Sequence, residues 1–187
     1  MISSTSYFLC LTLSLILISR FPLPTNARTH AHHRLLADGY DLINQICKEM
    51  SENENECTNI LGKDPKILCA ENFVELSKAI LEIALNKGIE GQNFLEELAE
   101  TTHAPAIVEC ANSHYDMVIR SFRNALNELK DGSMAGSYEA KIVSDGSESC
   151  ERVLAAANTA NLLISYLNHQ ISLLSFAASL AINKVVN

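Results

Sequence analysis

The sequence predicts an all-α protein, an up-down-up-down four-helix bundle preceded by a short helical hairpin. Three observations predict it. Helix breakers are scarce, with 7 Gly and 4 Pro in 187 residues, while Leu, Ile and Ala are abundant, which favours helices over a β-sandwich. Apolar residues recur every three or four positions through several long stretches. Asp64-Pro65 and Pro105 stand where such stretches begin, and proline suits the first helical turn. The length fits one domain. The 14 Lys and Arg against 22 Asp and Glu give a net charge of −8, so the basic stripe that nucleic acid requires is missing. With 48% apolar and 19% charged residues, the chain is not of the disordered class.

The first segment reads as a leader. Phe8 to Ile18 is an apolar and hydroxyl run of 11 residues, too short to span a bilayer and suited to a signal peptide. Met1 to Tyr7 carries no Lys or Arg. Thr25-Asn26-Ala27 offers a cleavage site, giving a signal peptide over 1–27, a flexible segment over 28–37 and a helical domain over 38–187. Cleavage removes Arg20 and Cys10, taking the net charge from −8 to −9. Five cysteines remain: Cys47, Cys57, Cys69, Cys110 and Cys150. Secretion favours bridging, and five cysteines leave one over, with fifteen arrangements of two bridges. No Asn-x-Ser/Thr sequon occurs, so no N-glycan is expected.

Each element follows in order. Asp38 to Glu49 places Leu42, Ile43 and Ile46 at helical spacing, Ser51 to Glu56 is a polar turn, and Cys57 opens the second arm of the hairpin. From Asp64-Pro65 onward Cys69, Phe73, Leu76, Ile80, Ile83 and Ala84 recur with helical period. Gly88 and Gly91 are read as a loose point in a helix that continues through Phe94, Leu95 and Leu98, since each glycine costs only about 1 kcal/mol. After Pro105 a seam of Ala111, Tyr115, Val118, Phe122, Ala125 and Leu129 runs to Asp131-Gly132. Tyr138 to Ala157 is a third, less regular helix carrying Cys150. The last helix aligns Ala160, Leu163, Leu167, Ile171, Leu174, Ala178, Ala181 and Val185. Val153 to Asn183 holds no Asp, Glu, Lys or Arg. Its Asn, His and Gln residues argue for the most buried bundle helix over a membrane span, and Lys184 argues against a lipid-anchor signal.

Catalytic constellations are thin. Glu100-Thr101-Thr102-His103 matches one half of a di-iron Glu-x-x-His pattern, but no second copy exists; an exposed helix end is the preferred reading. His30, His32 and His33 follow the cleavage site, and a histidine third from a free amine can chelate Cu(II); a polar tail is preferred. Cys69 reads as a buried structural thiol. There is no nucleophile elbow, phosphate loop or dinucleotide fingerprint. The expectation is a protein without catalytic residues, metal or cofactor, and without membrane or nucleic-acid partners. Acidic residues at Glu49–Glu56 and Glu90–Glu109 read as solvated surface.

Several features together resemble the plant invertase/pectin methylesterase inhibitor family. A leader precedes Leu42-Ile43 and Cys47; Cys57 follows ten residues on; Leu61 precedes Asp64-Pro65-Lys66; Cys110 precedes a Tyr-bearing amphipathic helix; Glu151 follows Cys150; Ser179-Leu180-Ala181-Ile182 lies in the last helix. The likeness covers roughly Asp38 to Val186. It implies bridges Cys47–Cys57, stapling the hairpin, and Cys110–Cys150, joining the second bundle helix to the third, with Cys69 as a free thiol. It also implies a secreted, apoplastic, non-catalytic inhibitor, monomeric when free, that occludes a cell-wall carbohydrate enzyme in a 1:1 complex.

The chain departs from the family pattern in places. The tyrosine usual four residues after the third bridge cysteine is His114 here, and the register resumes at Tyr115 as though one residue were inserted. Lys141-Ile142-Val143-Ser144-Asp145 replaces the usual Ser-Ala-Ala, Leu154 the usual aromatic, and Gly132-Ser133-Met134-Ala135 the Pro-Lys-Phe of many invertase inhibitors. Pectin methylesterase is therefore the first target and acid invertase the alternative, with the vacuole as an alternative location. Asn112, Asp116, Arg120, Arg123 and Asn127 are the candidate partner contacts. A divergent member without inhibition, or a bundle carrying a small apolar ligand, are the rival readings; the eight cysteines of lipid-transfer domains are absent.

Overall fold

The computed structural model describes residues 39–132 and 135–186. The leader, its cleavage site and the histidines at 30, 32 and 33 lie outside them. Helix α1 covers 39–47 and runs into a 3-10 turn at Lys48–Asn53, kinked at Ser51 with φ 50°. Helix α2 is Glu54–Leu61, so the arm begins three residues before Cys57. Ile43, Ile46, Cys47, Cys57 and Leu61 are fully buried, and their apolar faces close the hairpin.

The Asp64-Pro65 start signal makes only α3, Pro65–Leu68, with Asp64 Oδ1 accepting the Lys66 N–H at 2.7 Å. The long helix α4 starts afresh at Phe73 and runs to Thr102. Its start is set by Asn72, whose side chain accepts the Glu75 N–H at 3.0 Å, while the Glu75 carboxylate accepts the Glu71 N–H at 3.0 Å. This reciprocal arrangement is a variant of the capping box. It ends the periodic run that the sequence suggested would pass unbroken from Cys69. Helix α4 does continue through Gly88 and Gly91, but both are buried, so neither is a loose point. His103, at φ 52°, closes α4 as a left-handed cap, with its N–H bonded to Ala99 O at 2.8 Å.

Helix α5 is Pro105–Glu109, followed by a π-helical segment Cys110–Tyr115 and helix α6, Asp116–Lys130. Gly132 turns the chain at φ 71°. Helix α7 is Ala135–Ala156 and α8 is Leu162–Val186. Helix α8 starts later than its seam suggested, because Asn161 Oδ1 caps it by accepting the Leu163 N–H at 2.9 Å and the Ile164 N–H at 3.3 Å. Ala160 is therefore outside the helix, and Ile164 rather than Leu163 enters the core.

Helix α4 packs on α6, α6 on α7, α7 on α8, and α8 back on α4. Short connections between successive neighbours make this the up-down-up-down bundle. Leu76, Ile80, Leu95, Tyr115, Val118 and Phe122 fill its interior from α4 and the second helix. The hairpin lies against α8. His169 Nε2 meets Glu56 Oε2 at 2.8 Å, and Lys184 pairs with Glu49. That cover explains why α8 buries residues on several sides, Leu173 and Ile182 included. Among the described residues no helix is long and apolar enough to cross a membrane.

Candidate functional site

The one-residue slip in the sequence after Cys110 has a backbone cause. A π turn absorbs an extra residue inside an α-helix without breaking it, and Cys110–Tyr115 is such a segment. Cys110 and Ala111 stay inside, Asn112 and Ser113 are exposed, and Tyr115 returns to the core with no exposed surface. Gln92 of α4 supports the segment, its Nε2 donating to Ala111 O at 3.0 Å. Small residues leave room for it. A Cβ on Gly91 would lie 2.5 Å from Tyr115 Cε1, and one on Gly146 would lie 2.9 Å from His114 O.

Tyr115 is then held by polar contacts. Its hydroxyl donates to Asn168 Oδ1 at 2.7 Å; Asn168 Nδ2 donates to Glu151 Oε1 at 2.7 Å; and Ser165 Oγ donates to Glu151 Oε2 at 3.1 Å. Burial, and secondarily the negative charge of Glu151, push the Tyr115 hydroxyl above the ordinary phenol range. The neutral, donating form is the one that the fold keeps. Cys110–Cys150, with Cα atoms 4.9 Å apart, ties the same π segment to α7 one residue from Glu151.

The outer side of this second helix carries the candidate contacts. Asp116, Arg120, Arg123 and Asn127 follow one another at spacings of four, three and four residues, which puts them on one stripe of α6. Arg120, Arg123, Asn127 and Asn112 are exposed and Asp116 is half-buried. Arg120 Nε pairs with Asp116 Oδ2 at 3.0 Å. Asn112 borders a depression of about 230 Å³ shared with Glu96, Glu100 and Val108. The structure thus brings four of the five residues into a single row and sets Asn112 beyond the π turn. His114 is turned inward: its Nε2 is buried without a hydrogen-bond partner and stands 3.7 Å from Glu109 Oε1, too far for a hydrogen bond.

Cys47 and Cys57 are bridged, with Cα atoms 5.6 Å apart. Cys69 lies half-buried in the turn that follows α3. Glu100 and His103 are exposed at the end of α4. Among the described residues no cluster of three or more His, Cys, Asp or Glu is placed to hold a metal.

Sequence reasoning missed Asn168, Gln92 and the close-approach glycines. Asn168 had one usable signal: it is an amide in the charge-free stretch from Val153 to Asn183, and a buried amide requires partners.

The sequence matches the plant invertase/pectin methylesterase inhibitor family over residues 41–161. Two solved structures share the fold. Mutant form A of a pectin methylesterase inhibitor from Arabidopsis has a TM-score of 0.63 at 18% identity, covering 70% of this chain and 89% of that one. A pectin methylesterase inhibitor from Arabidopsis thaliana has a TM-score of 0.56 at 18% identity, covering 75% and 93%. No curated protein matches the chain in sequence.

Proposed function

This chain belongs to the plant invertase/pectin methylesterase inhibitor family, and on that premise we propose that it is a secreted, non-catalytic inhibitor of a pectin methylesterase. It acts by binding, as a 1:1 complex that covers the enzyme's substrate cleft. The contact face is the outer side of the second bundle helix, with Asp116, Arg120, Arg123 and Asn127 in a row and Asn112 beyond the π turn.

The observation that carries this reading is the way that face is held. Behind it, Tyr115 is locked to Asn168 and Glu151, and Cys110 is bridged to Cys150. An inhibitor gains affinity when its contact residues lose little freedom on binding, and a rigid backbone behind exposed polar side chains supplies that. A row of mixed charge and amides suits a polar enzyme cleft and favours correct orientation over raw affinity. A standard interface of about 1,600 Å² in total is enough to cover such a cleft.

The test is complex formation. The oxidised, leader-free protein is mixed with a purified plant pectin methylesterase and followed by light scattering after size exclusion. A 1:1 complex that Arg123→Glu weakens supports the reading. No complex, from a protein whose helical spectrum is intact, overturns it. Acid invertase run in parallel tests the alternative target on the same scaffold.

A further inference from the structure

The π segment departs from α-helical geometry, so the direction of its exposed side chains depends on what holds its peptides. Two groups from other helices do so. Cys110 is bridged to Cys150 of α7. From α4, Gln92 donates its Nε2 to Ala111 O at 3.0 Å. That carbonyl belongs to the peptide joining Ala111 to Asn112. The peptide is planar, so holding its oxygen also holds the N–Cα bond that leads into Asn112. A carbonyl has two lone pairs, so this bond adds to any that the helix itself supplies. π turns are rare and frequent at functional sites.

Gln92 is well placed for the task. It is half-buried on a helix of 30 residues. Its neighbour Gly91 meets the other end of the segment, where a Cβ would lie 2.5 Å from the Tyr115 ring. Glu96 and Glu100 follow Gln92 at intervals of four along one face of α4. Both border the depression that Asn112 also lines. One hydrogen bond therefore sets Asn112 in register with α4, while the backbone sets it in register with the α6 row. The Asn112 amide is exposed and makes no hydrogen bond among the described residues, which leaves it available to a partner.

We propose that Gln92 is a positioning residue for the contact face: by holding Ala111 O from behind, it presents Asn112 to the enzyme and prolongs the life of the complex. The proposal rests on the reading that this face binds a pectin methylesterase. Without the bond Asn112 must be ordered during binding, and that ordering costs affinity.

Dissociation kinetics of the complex with a purified plant pectin methylesterase test it. Q92L keeps the bulk and removes the donor; Q92K retains a donor. Q92L is expected to speed dissociation about three- to tenfold, the size of one hydrogen bond, with association little changed and Q92K close to wild type. Added to N112A, Q92L has no further effect; added to R123E, its effect persists in full. A merely structural role would give the same loss in both backgrounds. In the free protein Q92L is expected to quicken amide hydrogen exchange over Cys110–Tyr115. Dissociation unchanged by Q92L, equal losses in the N112A and R123E backgrounds, or unchanged exchange overturns the role of Gln92 and leaves inhibition standing. A wild-type protein with an intact helical spectrum that forms no complex overturns both.

Discussion

The hydroxyl of Tyr115 donates to the side-chain carbonyl of Asn168 at 2.7 Å, joining the π segment to α8 in the middle of the bundle. Both residues are buried, at 0% and 3% exposure. The π turn delivers the hydroxyl to that point, and the chain onward from Asn168 to Glu151 keeps it satisfied. Removing the donor leaves a buried carbonyl unpaired, at a cost of about 1–3 kcal/mol. Tyr115→Phe is expected to lose that much in urea unfolding, with an unchanged denaturant slope.

The same hydroxyl gives an alkaline signature. Its pKa is raised in the fold by burial and then by Glu151. The unfolded tyrosine ionises first, near pH 10, so this contribution is fully present below about pH 10 and declines as pH rises above it. The wild type is expected to lose stability more steeply above that pH than Tyr115→Phe does. Urea midpoints across the alkaline range make the comparison.

Two neighbouring glycines are expected to respond differently to alanine. At Gly91 a Cβ would stand 2.5 Å from the Tyr115 ring and 2.8 Å from Leu167 Cδ2. Gly91→Ala therefore destabilises by about 1–3 kcal/mol through overpacking, despite the better helix propensity of alanine. At Gly88 the nearest atom is a Val118 methyl at 3.2 Å, and a propensity gain of about 1 kcal/mol offsets the crowding. Gly88→Ala is expected to leave the thermal midpoint nearly unchanged.

The two bridges are unequal. Cys110–Cys150 closes a separation of 40 residues and Cys47–Cys57 one of 10. On the chain-entropy account the first contributes about 4 kcal/mol and the second about 3 kcal/mol. Replacing Cys110 and Cys150 by serine should lower the thermal midpoint more than replacing Cys47 and Cys57. It should also weaken target binding, because the π segment loses its tie to α7.

Arg123 separates binding from stability. It is exposed and has no ion pair among the described residues. Arg123→Glu is expected to shift unfolding by no more than about 0.5 kcal/mol while weakening the enzyme complex at least tenfold. Arg120→Glu should disturb stability more, since it sets a like charge beside Asp116.

Much of the fold was legible because its signals are local. Prolines at 65 and 105 mark helix starts, Asp131-Gly132 marks an end, and apolar spacing defines the inner faces. The break before Phe73 was missed because apolar period runs straight across it, while the stop is encoded by Asn72 and Glu75. The late start of α8 was missed for the same reason, with Asn161 as the cap. At the candidate face the slip between His114 and Tyr115 was visible as a departure from periodicity, but a π turn is a backbone solution that no residue type announces. Asn168, Glu151 and Gln92 come from three different helices, and long-range polar pairing of that kind leaves no spacing to read.

The most direct test of the central claim is an inhibition titration of a purified plant pectin methylesterase by the oxidised, leader-free protein, at pH 5 and pH 7. The account predicts activity falling in proportion to added protein and reaching its floor at one equivalent, with Arg123→Glu shifting the curve to higher concentration. Full activity at excess protein, with the helical spectrum and both bridges intact, would contradict it.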